Sequence, residues 1–236
     1  MRNDIGLVLL VRYNSRRLYG KALMKINGIP SLKYLLDRIL FLFDKENVII
    51  ATSVNKADDL ITKFAYNNDI KCYRGPLKNV SKRFLEEIKK LNKKYIVRVT
   101  GDSIFLDINI IKSLMRIIDN NHFLYTNRYP KTFPIGQTVD IIELNKYEYY
   151  YRFFSTDDDF EHVTSYFFNN ISKFKIKSLK NDLGKQRDIS LGLDSNQDFK
   201  NASQYLKDNL SYSVKTSYGN IYNYYLKNFK NNNEKN

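Results

Sequence analysis

Apolar positions along this chain alternate between two spacings. Ile5-Gly-Leu-Val-Leu-Leu-Val11 is a continuous apolar run closed by the polar turn Arg12-Tyr-Asn-Ser-Arg-Arg-Leu-Tyr-Gly-Lys21. Such a run suits a strand buried on both faces of an α/β sheet. Pro30 opens a helical pattern over residues 30–43, with Leu32, Leu35, Leu36, Ile39 and Leu40 at helix spacing, and Val48-Ile-Ile-Ala51 follows as a strand. Residues 56–67 read as a helix, 70–73 as extended, 79–91 as a helix and 95–99 as a strand running into Thr100-Gly-Asp102. Asp107 can cap a helix to about residue 118, with 123–125 extended beyond it. This alternation predicts a mainly parallel sheet covered by helices.

The second half is less regular. Phe133-Pro-Ile-Gly136 is a turn signal, 138–142 reads as extended, and two helical patterns follow to about residue 169. Residues 174–179 and 189–193 read as strands, and Ser195-x-x-Asp198 is a capping box for a helix over 195–208. With no linker and no internal repeat, residues 1–227 read as one domain and 228–236 as a polar, frayed tail.

Composition narrows the setting. A chain of 236 residues can bury a sizeable core. Its net charge of +14 and pI near 9.6 favour acidic partners: nucleotides, nucleic acid or an anionic membrane. The abundance of Asn, Lys, Ile, Tyr and Phe also fits a biased genome, so part of that charge is background. Cys72 is the single cysteine, which excludes an intramolecular disulfide and a multi-cysteine zinc cage and points to a reducing cytoplasm. The run at 5–11 is short for a signal peptide, and none approaches the roughly 20 apolar residues of a membrane helix. The expectation is a cytoplasmic protein without membrane insertion.

Candidate chemistry gathers where strands end. Arg12, Arg17 and Lys21 follow the first strand at the point where α/β folds collect ligands, and with the backbone amides of 14–17 they could cradle phosphate; a solvated basic loop is the alternative reading. Four further segments join it: Ala51-Thr-Ser53, Tyr73-Arg-Gly75, Arg98-Val-Thr-Gly-Asp102 and Glu161-His-Val-Thr164. Together these resemble the cytidylyltransferases of the spore-coat polysaccharide type, relatives of the KDO and acylneuraminate CMP-sugar synthetases. In their opening pattern, Q-A-R-x-x-S-x-R-L-P-G-K, the matches here are Arg12, Ser15, Arg17, Leu18, Gly20 and Lys21.

The resemblance implies a Rossmann-like three-layer α/β/α sandwich with a mainly parallel mixed sheet, nucleotide-diphospho-sugar transferase-like, that transfers CMP from CTP to a sugar. It implies catalytic roles for Arg12, Lys21 and Asp102 and magnesium bound by Asp102 and Asp194. Nucleotide contacts would come from Arg12, Asn14, Ser15, Arg17, Lys21, Thr52, Ser53, Arg74, Arg83 and Thr100. Sugar contacts would come from Gln137, Asp140, Glu161 and His162. Capping or turn roles are the alternative for Asp102, Thr52, Ser53, Arg74 and Thr100, and a solvated helix position for Arg83.

Three positions depart from the pattern. Asn14 replaces Gly, and tolerates a left-handed backbone; Tyr19 replaces Pro and leaves the loop less rigid; Thr138 in Gly136-Gln-Thr-Val-Asp140 replaces a carboxylate of G-L-D-V-E. Asp107 is assigned to capping and His122 to the fold. Tyr147, Tyr149, Tyr150, Tyr151, Phe153 and Phe154 are assigned to core or dimer packing, with a homodimer expected by resemblance. The expected partners are CTP and a sugar acceptor, with no nucleic acid. Other classes left open are a nucleotide-sugar-dependent glycosyltransferase, a basic nucleic-acid-binding module and an inactive partner-binding homologue.

Overall fold

A computed structural model describes residues 2–15, 17–184, 186 and 188–230. Strands β1 (Ile5–Leu10), β4 (Val48–Ser53), β5 (Lys71–Gly75), β6 (Tyr95–Thr100), β7 (Leu124–Thr126), β8 (Asp140–Glu143) and β9 (Ile176–Ser178) form one sheet in the order β5-β4-β1-β6-β8-β7-β9. Only β8 runs against its neighbours, so the sheet is mixed but mainly parallel. A hairpin of β2 (Lys25–Ile26) and β3 (Ile29–Pro30) stands apart.

Strand alternation sends side chains to two cores. From β1, Ile5, Leu7 and Leu9 enter one core and Val8 and Leu10 the other. The first core is covered by α1 (Ser31–Leu40), α2 (Asp59–Asn67), α4 (Ile108–Arg116), α8 (Asn196–Asp208) and α9 (Tyr218–Tyr225). The second is covered by α3 (Val80–Leu91), α5 (Leu144–Tyr151) and α7 (Ser165–Asn169), with short α6 (Asp157–Glu161) packed on α3. Leu32, Leu35, Leu36 and Ile39 of α1 are wholly buried, and each such side chain stabilises the fold by about 1.5–3 kcal/mol. The expected three-layer α/β/α sandwich is the observed architecture.

Several expectations are corrected. Residues 189–193 form no ladder strand and make a single bridge, Ile135 to Ser190. Residues 228–230, assigned to the tail, continue α9 as a π-helical turn in which Phe229 packs edge-on to Tyr224 and Tyr225; residues 231–236 lie outside the described set. The β2–β3 hairpin and α9 had no counterpart in the sequence reading, although Asn27-Gly28 is a two-residue hairpin signal and both residues have positive φ. Asp107 caps α4 through Asn109 N (2.8 Å) and also accepts from Tyr218 N (3.0 Å). Tyr147 is fully buried against Phe84, Phe154 and Phe167, whereas Tyr149 and Phe153 are exposed. Among the described residues no helix is long and apolar enough to cross a membrane.

Candidate active site

Because β4, β1 and β6 are parallel neighbours, their carboxyl ends share one edge, and the loop after β1 runs along it. Asp58, 1% exposed, ties that loop to β4: its carboxylate accepts from Tyr13 N (2.7 Å), Ser53 N (3.0 Å) and the Ser53 hydroxyl. Gly20 turns the loop back at φ +68°, where an added Cβ would stand 3.1 Å from the Tyr13 ring. Tyr19 packs edge-on against Tyr13, with centroids 5.2 Å apart, supplying a contact to the loop that lacks proline. Asn14 does not use a left-handed backbone: among described non-glycine residues only Asn27, Asp69 and Asn92 have positive φ. Arg16, within the expected amide cradle of 14–17, lies outside the described residues.

Lys21 is the hub. Its Nζ donates to Asp102 Oδ2 at 3.0 Å and to Asp194 Oδ1 at 2.9 Å, and Arg17 reaches the same Asp194 oxygen at 3.1 Å. Burial pushes the Asp102 carboxyl up, but the Lys21 charge and bonds from Thr100 and Lys21 outweigh it and hold the group below the usual carboxylate range. Asp194 arrives on the segment expected to be a strand: Leu191 N donates to Ile135 O (2.8 Å) and Leu193 N to Asp102 O (2.9 Å). Gly136 permits this approach. At φ +86° it lies so close that an added Cβ would stand 2.5 Å from Gly192 N. Arg12 faces Glu161 at 3.6 Å across the edge, both partly exposed.

Beside the carboxylates lies a cavity of about 150 Å³ walled by Arg98, Thr100, Asp102, Ser103, Arg128 and Thr138, among others. Arg98 and Asp140 are directly opposite each other on β6 and β8, with Thr126 opposite Asp140 on β7. Fully buried Asp140 accepts from Arg98 Nη1 (3.2 Å), Thr126 Oγ1 (2.6 Å) and Thr164 Oγ1 (3.2 Å), and Arg128 Nη2 lies 3.5 Å away. Arg98 heads the motif Arg98-Val-Thr-Gly-Asp102 but carries no site role in the sequence analysis, and Arg128 is not singled out there. For Arg98 a signal existed, a cation inside the apolar run Tyr95-Ile-Val-Arg-Val99, which needs a partner once buried.

Other expected contacts are directed elsewhere. Gln137, expected on the sugar, is wholly buried and accepts from Asp107 N (2.9 Å) while donating to Phe105 O (2.9 Å), so both ends of its amide staple the fold. Asp140 stands behind the two arginines rather than at the cavity wall. His162 is 62% exposed, and its nearest charged partner is Asp158 at 3.8 Å. Ser53 is held by Asp58. Arg74 turns back to Ser53 O (3.1 Å), Asn55 O (2.9 Å) and Asp59 (2.6 Å), and borders a separate open recess of about 420 Å³.

Arg83 is not a solvated helix cation. It is 1% exposed and donates to Pro76 O at 2.7 Å, and burial, then the Arg12 charge, lowers the pKa of its guanidinium to about 10. Thr52 Oγ1 is buried and has no hydrogen-bond partner among the described residues. Thr100 Oγ1 lies 3.4 Å from Ser103 Oγ at the cavity edge; Asn14 is exposed and Ser15 half-buried.

Residues 6–227 match the family described as cytidylyltransferase. The chain belongs to the cytidylyltransferase family. Spore coat polysaccharide biosynthesis protein SpsF of Bacillus subtilis is 27% identical to this cytidylyltransferase over 183 residues, 75% of each chain. The structure of a cytidylyltransferase from Leptospira borgpetersenii superposes with a TM-score of 0.88 at 25% identity, covering 95% of this chain and 94% of that one. A CMP:2-keto-3-deoxy-manno-octonic acid synthetase complexed with CTP shares the fold, with a TM-score of 0.64 at 14% identity over 87% of this chain and 99% of its own. Family membership resolves the choice among the activities left open by composition and charge: this is an enzyme of cytidylyl transfer.

Proposed function

We propose that this cytidylyltransferase couples CTP to an acidic sugar, a nonulosonic or ulosonic acid, releasing pyrophosphate and a CMP-sugar for surface polysaccharide synthesis. The observation that carries the reading is the convergence of Asp102 and Asp194 on Lys21 at the carboxyl edge of the sheet, with Arg12 and Arg17 on the same loop. The sugar hydroxyl gives its proton to solvent as its oxygen attacks the α-phosphorus of CTP; a new oxygen–phosphorus bond forms while the bond from the α-phosphorus to the α,β-bridging oxygen breaks. Negative charge grows on the departing pyrophosphate, and Arg12, Arg17 and Lys21 are the donors that meet it. The polysaccharide setting is supported by the SpsF relative, and the sugar class by the resemblance to CMP-sugar synthetases.

The donor set fits magnesium. Two carboxylates already share one cationic nitrogen, the arrangement a hard cation takes between acidic oxygens, and substrate phosphates would complete the shell. Among the described residues no group of three or more His, Cys, Asp or Glu side chains is placed to hold a metal alone, so the phosphates would have to supply the remaining ligands. Asp102 and Asp194 would hold the ion, which supplies charge neutralisation at the phosphates.

A thermal-shift screen of the four nucleoside triphosphates with magnesium tests the nucleotide. CTP at about 100 times its dissociation constant adds roughly 2.7 kcal/mol of stability. Equal shifts for all four, or none, would remove the reading. Asp102→Asn and Asp194→Asn are expected to keep the fold and nearly abolish pyrophosphate release, because an amide cannot replace anionic ligation; near-wild-type turnover in either would refute the metal role.

A further inference from the structure

The cavity beside Asp102 and Asp194 carries an unbalanced charge. Its two carboxylates are already claimed, Asp102 by Lys21 and Asp194 by Lys21 and Arg17. Among the described residues the two guanidiniums on this wall, Arg98 and Arg128, form ion pairs with one carboxylate, Asp140, so their two positive charges meet one paired negative charge. Thr138, also on the wall, brings a hydroxyl and no charge. The Nε atoms of both arginines are buried and have no hydrogen-bond partner among the described residues. A buried donor left unpaired carries a desolvation cost that a ligand oxygen can remove. Burial, and then the neighbouring Arg128 charge, pull the Arg98 guanidinium below its ordinary value, as expected where one carboxylate serves two cations.

Both arginines are held in place before anything binds. Arg98 leaves the middle of the sheet directly opposite Asp140. Arg128 follows β7, its N–H bonded to Thr126 Oγ1 (2.9 Å) and its guanidinium 5.6 Å from the centroid of the Phe168 ring. The Arg128 side chain keeps 38% exposure against 10% for Arg98, so the pair runs from the buried sheet to the open cavity.

From this geometry we infer that Arg98 and Arg128 form an anion-binding wall that docks a carboxylate or phosphate on the sugar acceptor, and so determine specificity for a charged acceptor. The inference rests on the cytidylyltransferase reading above and adds the residues and the charge requirement. Planar guanidiniums suit both oxyanions, and the wall adjoins the aspartates that face the nucleotide phosphates. An acceptor anchored there by its anionic group would present a neighbouring oxygen toward the α-phosphorus.

The test uses the whole protein saturated with magnesium and a non-hydrolysable CTP analogue, titrated calorimetrically with three probes: 3-deoxy-manno-octulosonate, its methyl ester and glucose 1-phosphate. At least one anionic probe is expected to bind, with the octulosonate reporting a carboxylate and glucose 1-phosphate a phosphate. If the octulosonate binds, its ester should bind at least tenfold more weakly. Arg128→Ala should weaken the bound anion at least tenfold without changing affinity for the CTP analogue, and Arg128→Lys should recover part of that loss. Thr138→Asp, which cancels the surplus charge while leaving the Arg98–Asp140–Arg128 network intact, should weaken it similarly and covers the case in which Arg128→Ala fails to fold. The inference is overturned if the ester binds as well as the acid, if a bound anion is indifferent to Arg128→Ala and Thr138→Asp, or if the loaded protein binds neither anion. Failure of the CTP analogue itself to bind would be seen in the first titration and would bring down the underlying reading, and this inference with it.

Discussion

Gly136→Ala isolates the contact that brings Asp194 to Asp102. Gly136 has φ +86°, and an added Cβ would stand 2.5 Å from Gly192 N, 2.6 Å from Leu191 C and 2.8 Å from Gly192 Cα. All three are backbone atoms of the segment that carries Asp194, and none can rotate away. A left-handed conformation costs an L-residue about 1–2 kcal/mol, and forcing an extra carbon into a packed contact costs about 1–3 kcal/mol more. The expected destabilisation is therefore about 2–5 kcal/mol. Gly28→Ala is the internal control: φ is +79°, but nothing lies within 4 Å of the added Cβ, so only the conformational cost of about 1–2 kcal/mol applies. Urea unfolding of both variants gives the difference, about 1–3 kcal/mol, as the steric part. If the two variants lose equal stability, the close approach at Gly192 is not what holds this segment, and the account of how Asp194 reaches Asp102 is wrong.

Lys21→Ala is expected to slow single-turnover pyrophosphate release by an amount equivalent to roughly 2.7–4 kcal/mol while weakening CTP binding less, because charge on the pyrophosphate is larger in the transition state; equal losses in both, or none, would return the basic turn to a solvated loop. Glu87 offers a pH test. It is 1% exposed on α3, and burial lifts its carboxyl from 4.5 to about 7 despite Lys90 at 3.4 Å. Below about pH 4.5 the acid is protonated in both states; between there and about pH 7 the unfolded chain loses the proton first, so stability falls, and above pH 7 the full penalty of about 3 kcal/mol applies. Glu87→Gln should therefore gain stability over the unsubstituted protein as pH rises from 5 to 8, and parallel melting curves across that range would contradict it.

The strand-ending segments were legible in the chain because burial of a strand on both faces leaves a continuous apolar run, and the residues just beyond it are free to be polar. That reasoning reaches Arg12, Arg17 and Lys21 from local pattern, whereas the role of Asp102 came with the resemblance. Asp194 is different: it lies 173 positions from Lys21, and only the resemblance pointed to it, since the bonds that seat its segment come from Ile135 and Asp102 rather than from a regular ladder.

Periodicity reports which face of an element is buried but says nothing of which distant partner covers it. Hence Arg83 and Gln137 read as available donors although packing consumes or covers them, and Arg74 read as a ligand contact although it closes onto its own sheet edge. The Arg98–Asp140–Arg128 wall shows the same limit from the other side. Strand order and antiparallel register set two cations around one carboxylate, and that juxtaposition exists only once β6, β8 and β7 lie side by side.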